Sequence, residues 1–326
     1  MESESKKLRR GSLKEVSFRE MWQKYGTVGI LAVLVIALAI LKPASIFSAT
    51  SISQILTQSS VNILLAVGEF FAILIAGIDL SVGSIAALTG MLTAKLMVGG
   101  VPPLTAIFLG ILIGAALGFV NGFLVNKTGL HPFIITLGTQ AIYRGITLIT
   151  SGARSVFGFP ISFTKGISSS IFGVPVPVII AISVAVILTF FTKKTVAGRN
   201  IYAIGGNKDA AWYSGINVKL HTMMVFIISG ICAGIAGIVL IGRVGAAEPG
   251  AATGFETYAI AAAIIGGTSF FGGKGKVFGV VIGGLIIGII NYGMTALTVP
   301  SSYQQIVMGG LIILSVTLDR FIATKK

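Results

Sequence analysis

A chain of 326 residues that is 54% hydrophobic and only 10% charged, with a mean hydropathy of +0.96, cannot fold as a water-facing globule, because its apolar runs exceed what such a fold can cover. Its net charge of +14 does not mark a nucleic-acid binder: the Lys and Arg residues fall between apolar segments and at both ends, with no continuous basic stripe. One cysteine, Cys232, and two distant histidines, His131 and His221, exclude an intrachain disulfide and indicate no metal site. The expected fold is an all-α integral membrane protein, a polytopic helical bundle.

Residues 1–26 read as a cytoplasmic leader with seven basic and four acidic residues. The apolar run 27–41 lacks an Ala-x-Ala cleavage signal and reads as a retained anchor. At about 20 apolar residues per crossing, further spans are expected near 61–76, 80–98, 104–125, 133–150, 174–192, 222–241, 257–267, 277–291 and 305–318. That makes ten, within a transmembrane domain at 27–320, with a cytoplasmic tail at 321–326. Under this topology 18 of the 24 Lys and Arg residues lie inside and 5 outside, with Arg144 in a span, as the positive-inside rule requires. Two segments leave re-entrant and spanning alternatives open. One is the short run 257–267, and the other is the region 61–98, interrupted only by Gly77-Ile78-Asp79-Leu80-Ser81.

Helices in lipid associate through close backbone approach at small residues. Gly110, Gly114, Gly118 and Gly122 form such a ridge, and Gly230/Gly234, Gly279/Gly283 and Gly284/Gly288 repeat the spacing. The pattern Gly114-x-x-x-Gly118-x-x-Asn121 recurs as Gly284-x-x-x-Gly288-x-x-Asn291 in the fourth and ninth spans, which run in opposite directions. This is the signature of an inverted repeat, although small residues at spacing four are common in any membrane helix.

Ionisable groups at membrane depth are costly and therefore informative. Glu69 and Arg144 lie within spans, and Asp79 sits at the Gly-Ile-Asp break. They serve either a polar path or gate, or buried pairs that staple helices. Ser81 is placed to cap a new helix. Asn121, Gln140 and Asn291 suit a hydroxyl-rich solute and equally suit interhelical hydrogen bonding. The candidate translocation path is thus Glu69, Asp79, Ser81, Asn121, Gln140 and Asn291.

The longest polar interruption, 193–221, carries five basic residues and one acid, Asp209, and so is expected to face the cytoplasm. Within it, 207–215 (Asn207, Lys208, Asp209, Ala210, Ala211, Trp212, Tyr213, Ser214, Gly215) reads as a short helix, with Asn207 as N-cap, Asp209 in the first turn and Gly215 at C′. Two turns are marginal alone, so this helix must lean on something. Trp212 and Tyr213 then form either a pair of anchors for a partner groove or an interfacial pair at lipid headgroups. The stretch 268–275 resembles a phosphate-binding loop but has Thr268 for its first glycine and Gly275 after Lys274, so nucleotide hydrolysis is not expected of this chain.

Gly68-Glu69-Phe70-Phe71, 76–83 (Ala-Gly-Ile-Asp-Leu-Ser-Val-Gly), His131-Pro132-Phe133 through Gly138-Thr139, Gly205-Gly206-Asn207 with Ser214-Gly215-Ile216, and 266–275 together resemble the ribose-type ABC sugar importer permeases, from about residue 25 to the C-terminus. The resemblance implies a homodimeric bacterial inner-membrane subunit without a cofactor of its own. It takes a monosaccharide, D-allose or ribose-like, from a periplasmic sugar-binding protein and is driven by a separate ABC ATP-binding subunit that holds ATP-Mg. The 207–215 element matches the place where such permeases contact the ATPase. This chain departs from the family in having Lys208 where Glu is common and Trp212 where Arg is common, which implies a dedicated ATPase partner. A proton- or cation-coupled secondary sugar transporter, using Glu69 or Asp79, is the alternative the intramembrane residues leave open.

Overall fold

The computed structural model describes residues 28–29, 31–36, 38–40 and 48–324; the leader at 1–26 and the last two residues of the tail lie outside them. The first long helix, α1 (Ala49–Leu74), starts twelve residues before the expected span. Its early polar residues are absorbed locally: Ser48 caps the helix by accepting from the Ser51 amide at 3.1 Å, and Ser59 and Ser60 donate to the carbonyls of Ile55 and Thr57 at 2.7 and 2.6 Å. Serine hydroxyls satisfied in this way need no water, so the polar start joins the buried bundle.

The chain continues through α2 (Val82–Val98), α3 (Pro103–Thr128) and α4 (Pro132–Ser151). An outer excursion follows, made of α5 (Ile161–Ser168) and a two-residue hairpin, β1 (Ser170–Ile171) with β2 (Val174–Pro175). Then come α6 (Val176–Lys194), the short α7 (Val196–Gly206) and α8 (Lys208–Tyr213), and the long α9 (Val218–Val244). The chain closes with α10 (Phe255–Ile265), α11 (Val277–Ala296) and α12 (Ser301–Thr324). Six of these helices are long and apolar enough to cross a bilayer, and shorter apolar helices at Leu31–Ile40, Val82–Val98, Phe255–Ile265 and Ser302–Leu314 bring the count to ten.

Two helices form the centre. Residues 59–74 of α1 are all buried, as is most of α9, whereas α3 and α6 bury narrow stripes of small residues and leave large apolar side chains outward. That outward face is what lipid requires. Where the two central helices meet, Gly68 stands against Ser229 and Cys232, and a Cβ there would come 3.0 Å from the Cβ of Cys232. The ridge of α3 lies on α9, with Gly114 facing the Gly230 carbonyl and Gly118 the Phe226 carbonyl. In the same manner Gly284 and Gly288 of α11 lie on Ile63 and Ser59 of α1.

These contacts give the recurring Gly-x-x-x-Gly-x-x-Asn pattern a structural meaning. The fourth span packs antiparallel on the seventh, and the ninth packs antiparallel on the second. Likewise α2 packs on α9 through Gly90 and Gly237, while α10 packs on α1. Exchanging the two halves of the bundle therefore exchanges equivalent contacts, as an inverted repeat requires.

Both doubtful segments adjoin irregular backbone, at 75–81 and 245–254. At ~1.5 Å per residue α10 covers roughly 16 Å, half of the ~30 Å hydrocarbon core. The irregular segment 245–254 joins it to the end of α9, and Gly83, in the first turn of α2, packs on the Ala252 carbonyl and the Glu256 carboxylate. The other break, 75–81, turns at Ala76 with φ 58° and brings Asp79 back beside Glu69, so α2 opens inside the bundle.

The packing predicts that Gly118→Leu, which drives a side chain into the Phe226 backbone, lowers stability by about 1–3 kcal/mol. Gly138→Ala, with no neighbour within 4 Å, should leave it unchanged, as measured by unfolding of the full chain in mixed micelles.

Candidate functional site

Two regions concentrate polar chemistry: the short element after α7 and the interior around the α1–α2 break. At the first, the Asn207 side chain accepts from the Ala210 amide at 2.9 Å and Asp209 lies in the first turn. Gly215 takes φ 81°, and the Ile216 amide returns to the Ala211 carbonyl at 3.0 Å. Asn207 is thus the N-cap, Ser214 the C-cap and Gly215 the C′ residue, and the helix proper is the six residues Lys208–Tyr213.

A helix this short holds only by contact. Ala211 is buried in a small cluster with Ile204, Val218 and, at its edge, Ile75 and Ile216. The opposite face is free: Trp212 and Tyr213 are 63% and 81% exposed, with ring centroids 4.9 Å apart in an edge-to-face arrangement.

Helix α7 was not legible as a separate element, because its start is marked only by Thr195, whose hydroxyl accepts from the Gly198 amide at 3.0 Å. Its end is gripped from two sides. Gly205 is pressed against the Leu74 carbonyl and the Gly273 amide, and that amide donates to Leu74 at 2.9 Å. The Tyr202 hydroxyl donates to the Gly275 carbonyl at 2.9 Å, and burial pushes its phenol above the usual tyrosine range. The glycine-rich 266–275 stretch is therefore a clasp joining α7 to the end of α1, which explains a motif that nucleotide chemistry does not.

In the interior, Asp79 is the hub. Its Oδ1 accepts from the Ser81 amide at 3.0 Å and the Ser81 hydroxyl at 2.6 Å, and its Oδ2 from Ser229 of α9 at 2.7 Å. The Asp79 amide donates to Glu69 Oε1 at 3.1 Å. Asn121 of α3 donates to Ser81 Oγ at 2.7 Å and accepts from Tyr143 of α4 at 3.1 Å. Ser81 occupies the N-cap position expected of it but makes no side-chain cap bond; Asp79 takes its hydroxyl instead.

A second polar group steadies the 245–254 segment. The Arg144 guanidinium donates to the carbonyls of Pro249 and Ala251 at 2.8 and 2.7 Å, and Gln140 donates to Glu256 Oε1 at 2.9 Å. Irregular backbone at membrane depth needs such donors, since no water or lipid group can supply them. Asn291 stands apart from both groups, on a cavity of ≈ 160 Å³ between α1, α9, α10, α11 and α12. The cavity's other polar lining residues, Asn62 and Arg243 among them, carried no sequence signal beyond residue type.

Residues 51–316 match the family model described as branched-chain amino acid transport system / permease component. The chain belongs to this permease family. It is 60% identical over 311 residues to the D-allose transport system permease protein of Escherichia coli, covering 95% of each chain. It is 42% identical over 313 residues to the ribose import permease protein of Bacillus subtilis, covering 94% of this chain and 96% of the relative. It is also 35% identical over 324 residues to the galactose/methyl galactoside import permease protein of Salmonella typhimurium, again covering 94% and 96%. No solved structure matches the chain. Membership of an import-permease family favours a transport subunit over a self-powered secondary transporter.

Within this permease, Asp79→Ala leaves three donors without their acceptor and should destabilise the full chain by about 3 kcal/mol or more, whereas Asn121→Ala should cost about 1–2 kcal/mol. Unfolding in mixed micelles compares the two. Arg144→Met should raise amide exchange across 246–254 without raising it in α1.

Proposed function

We propose that the chain is the membrane subunit of an ATP-driven importer that moves a monosaccharide, D-allose or a ribose-like sugar, across the bacterial inner membrane by alternating access. The observation that carries this reading is the exposed Trp212–Tyr213 pair on a short capped helix in a basic loop, whose buried side runs into the bundle. The names of the curated relatives supply the solute class. In this reading two copies of the chain form the passage, a periplasmic sugar-binding protein delivers the solute, and a separate subunit hydrolyses ATP-Mg and presses on residues 207–215 from the cytoplasm. Termini at 1–26 and 321–326 face the same side.

The mechanics follow from the contacts. A push on Lys208–Tyr213 bears on α7 through the one-residue joint at Asn207 and through Ala211 packed against Ile204. The Gly205 contact then carries it to Leu74 and, through the clasp, to α11. From Leu74 the break at 75–81 leads to the Asp79 hub, which ties α1, α2, α3, α4 and α9 together. Among the six candidate path residues, Asn291 faces the cavity, while Glu69, Asp79, Ser81, Asn121 and Gln140 hold the segments that must move as units. Lys208 and Trp212 give the contact a charge and shape suited to a dedicated ATPase.

Replacing Trp212 and Tyr213 together with Ala should cut sugar uptake at least tenfold in vesicles containing the whole transporter, because interface aromatics of this kind contribute about 2 kcal/mol each. The amount of inserted permease should not change. Uptake at the wild-type rate overturns the assignment of this helix as the coupling element.

A further inference from the structure

Polar side chains inside a helical bundle usually find one another, yet two buried groups on the ≈ 160 Å³ cavity have not. Asn62 of α1 and Asn291 of α11 are 3% and 5% exposed, and Asn62 Nδ2 and Asn291 Oδ1 have no hydrogen-bond partner among the described residues. Arg243, half-buried in the last turn of α9, lines the same space. Leaving a buried donor or acceptor unmatched costs about 1–3 kcal/mol each, so two such atoms around one opening, beside a half-buried guanidinium, mark a site built for something that enters it. The close seating of Gly284 and Gly288 on Ile63 and Ser59 is what brings Asn62 and Asn291 onto one space.

The unmatched atoms also state what would fit. An amide N–H and a guanidinium require acceptors, and a carbonyl oxygen requires a donor; a hydroxyl is both at once. Phe255 and Tyr258, with ring centroids 5.5 Å apart, add apolar faces to the lining. Among the described residues no carboxylate lines the cavity, since Glu256 is engaged with Gln140, so an unbalanced positive charge there disfavours cationic solutes. Arg243 and Gln304 sit near the ends of α9 and α12 that lie away from the Lys208–Tyr213 helix. The cavity thus opens within the half of the bundle remote from that helix, where a delivered solute arrives first.

We propose that this cavity is a binding station for a neutral, polyhydroxylated solute, with Asn62, Asn291 and Arg243 as its recognition groups. The proposal rests on the transport reading and deepens it. Its first test does not depend on transport. In the full chain with Cys232→Ala, Asn62→Cys should react from the outer side with small methanethiosulfonates, the anionic sulfonate reagent about tenfold faster than the cationic ammonium one. Arg243→Gln should erase that preference and Arg243→Lys should keep it. No reaction, or equal rates with Arg243 present, overturns the site.

The second test measures D-allose and D-ribose uptake by the whole transporter. Asn62→Leu, Asn291→Leu and Arg243→Lys should each lower uptake about tenfold while ATP hydrolysis persists. If the cavity is labelled as expected but the variants transport like wild type, it holds only water and the proposal fails. If the unmodified transporter shows no ATP-driven uptake of either sugar, the functional reading fails instead, and the labelling rates alone then decide whether the cavity is an open, positively charged site.

Discussion

Contact between backbones at glycine holds this bundle together, because helices surrounded by lipid gain little from hiding apolar side chains from one another. The crossing of α1 and α9 at Gly68, the seating of Gly114 and Gly118 on α9, and that of Gly284 and Gly288 on α1 bring main chains to distances no larger side chain would allow. Everything else depends on that closeness. It lets dispersion contacts accumulate along smooth faces, and it sets short polar side chains within hydrogen-bond reach across helices.

Polar groups then fix what glycine leaves free. A carboxylate at membrane depth is tolerated where its oxygens are matched, and those of Asp79 are matched by Ser81 and Ser229. The same hub reaches α3 and α4 through Asn121 and Tyr143. Arg144 plays the reciprocal part, a cation engaged with carbonyls that an interrupted span would otherwise leave bare. These groups make two breaks in the bundle stable. Breaks are where a helix pair can change its relation without unfolding, so their position beside the central crossing fits a protein that must open to alternate sides.

The end of the bundle that carries the short capped helix is tied to the core by contacts at both of its neighbours. Lys208–Tyr213 is too short to be stable alone and is held by Ala211 against Ile204 and Val218, so its position is coupled to that of α7. Gly205, the Leu74 carbonyl and Gly273 form one junction that leaves no slack for a Cβ. The exposed helix is thereby joined by contact to α1 and, by the clasp, to α11, whose Asn291 lines the cavity.

Residue order alone determined that the chain is a membrane bundle of about ten spans and where its short capped helix lies. Hydropathy and the Asn207–Gly215 cap signals are local properties, and local energetics decide them. The Gly-x-x-x-Gly recurrence likewise announced which helix faces would be approached closely. Only the tertiary structure decided which helices met. It made Ser81 a member of the Asp79 hub rather than a cap and turned 266–275 into a clasp. It also left Asn62 and Asn291 unmatched around one opening, beside Arg243, while Asp79 and Asn121 were matched. The reason is physical: an Asn or Ser carries the same hydrogen-bonding capacity wherever it stands, and whether a partner lies within about 3 Å depends on residues tens to hundreds of positions away in the chain.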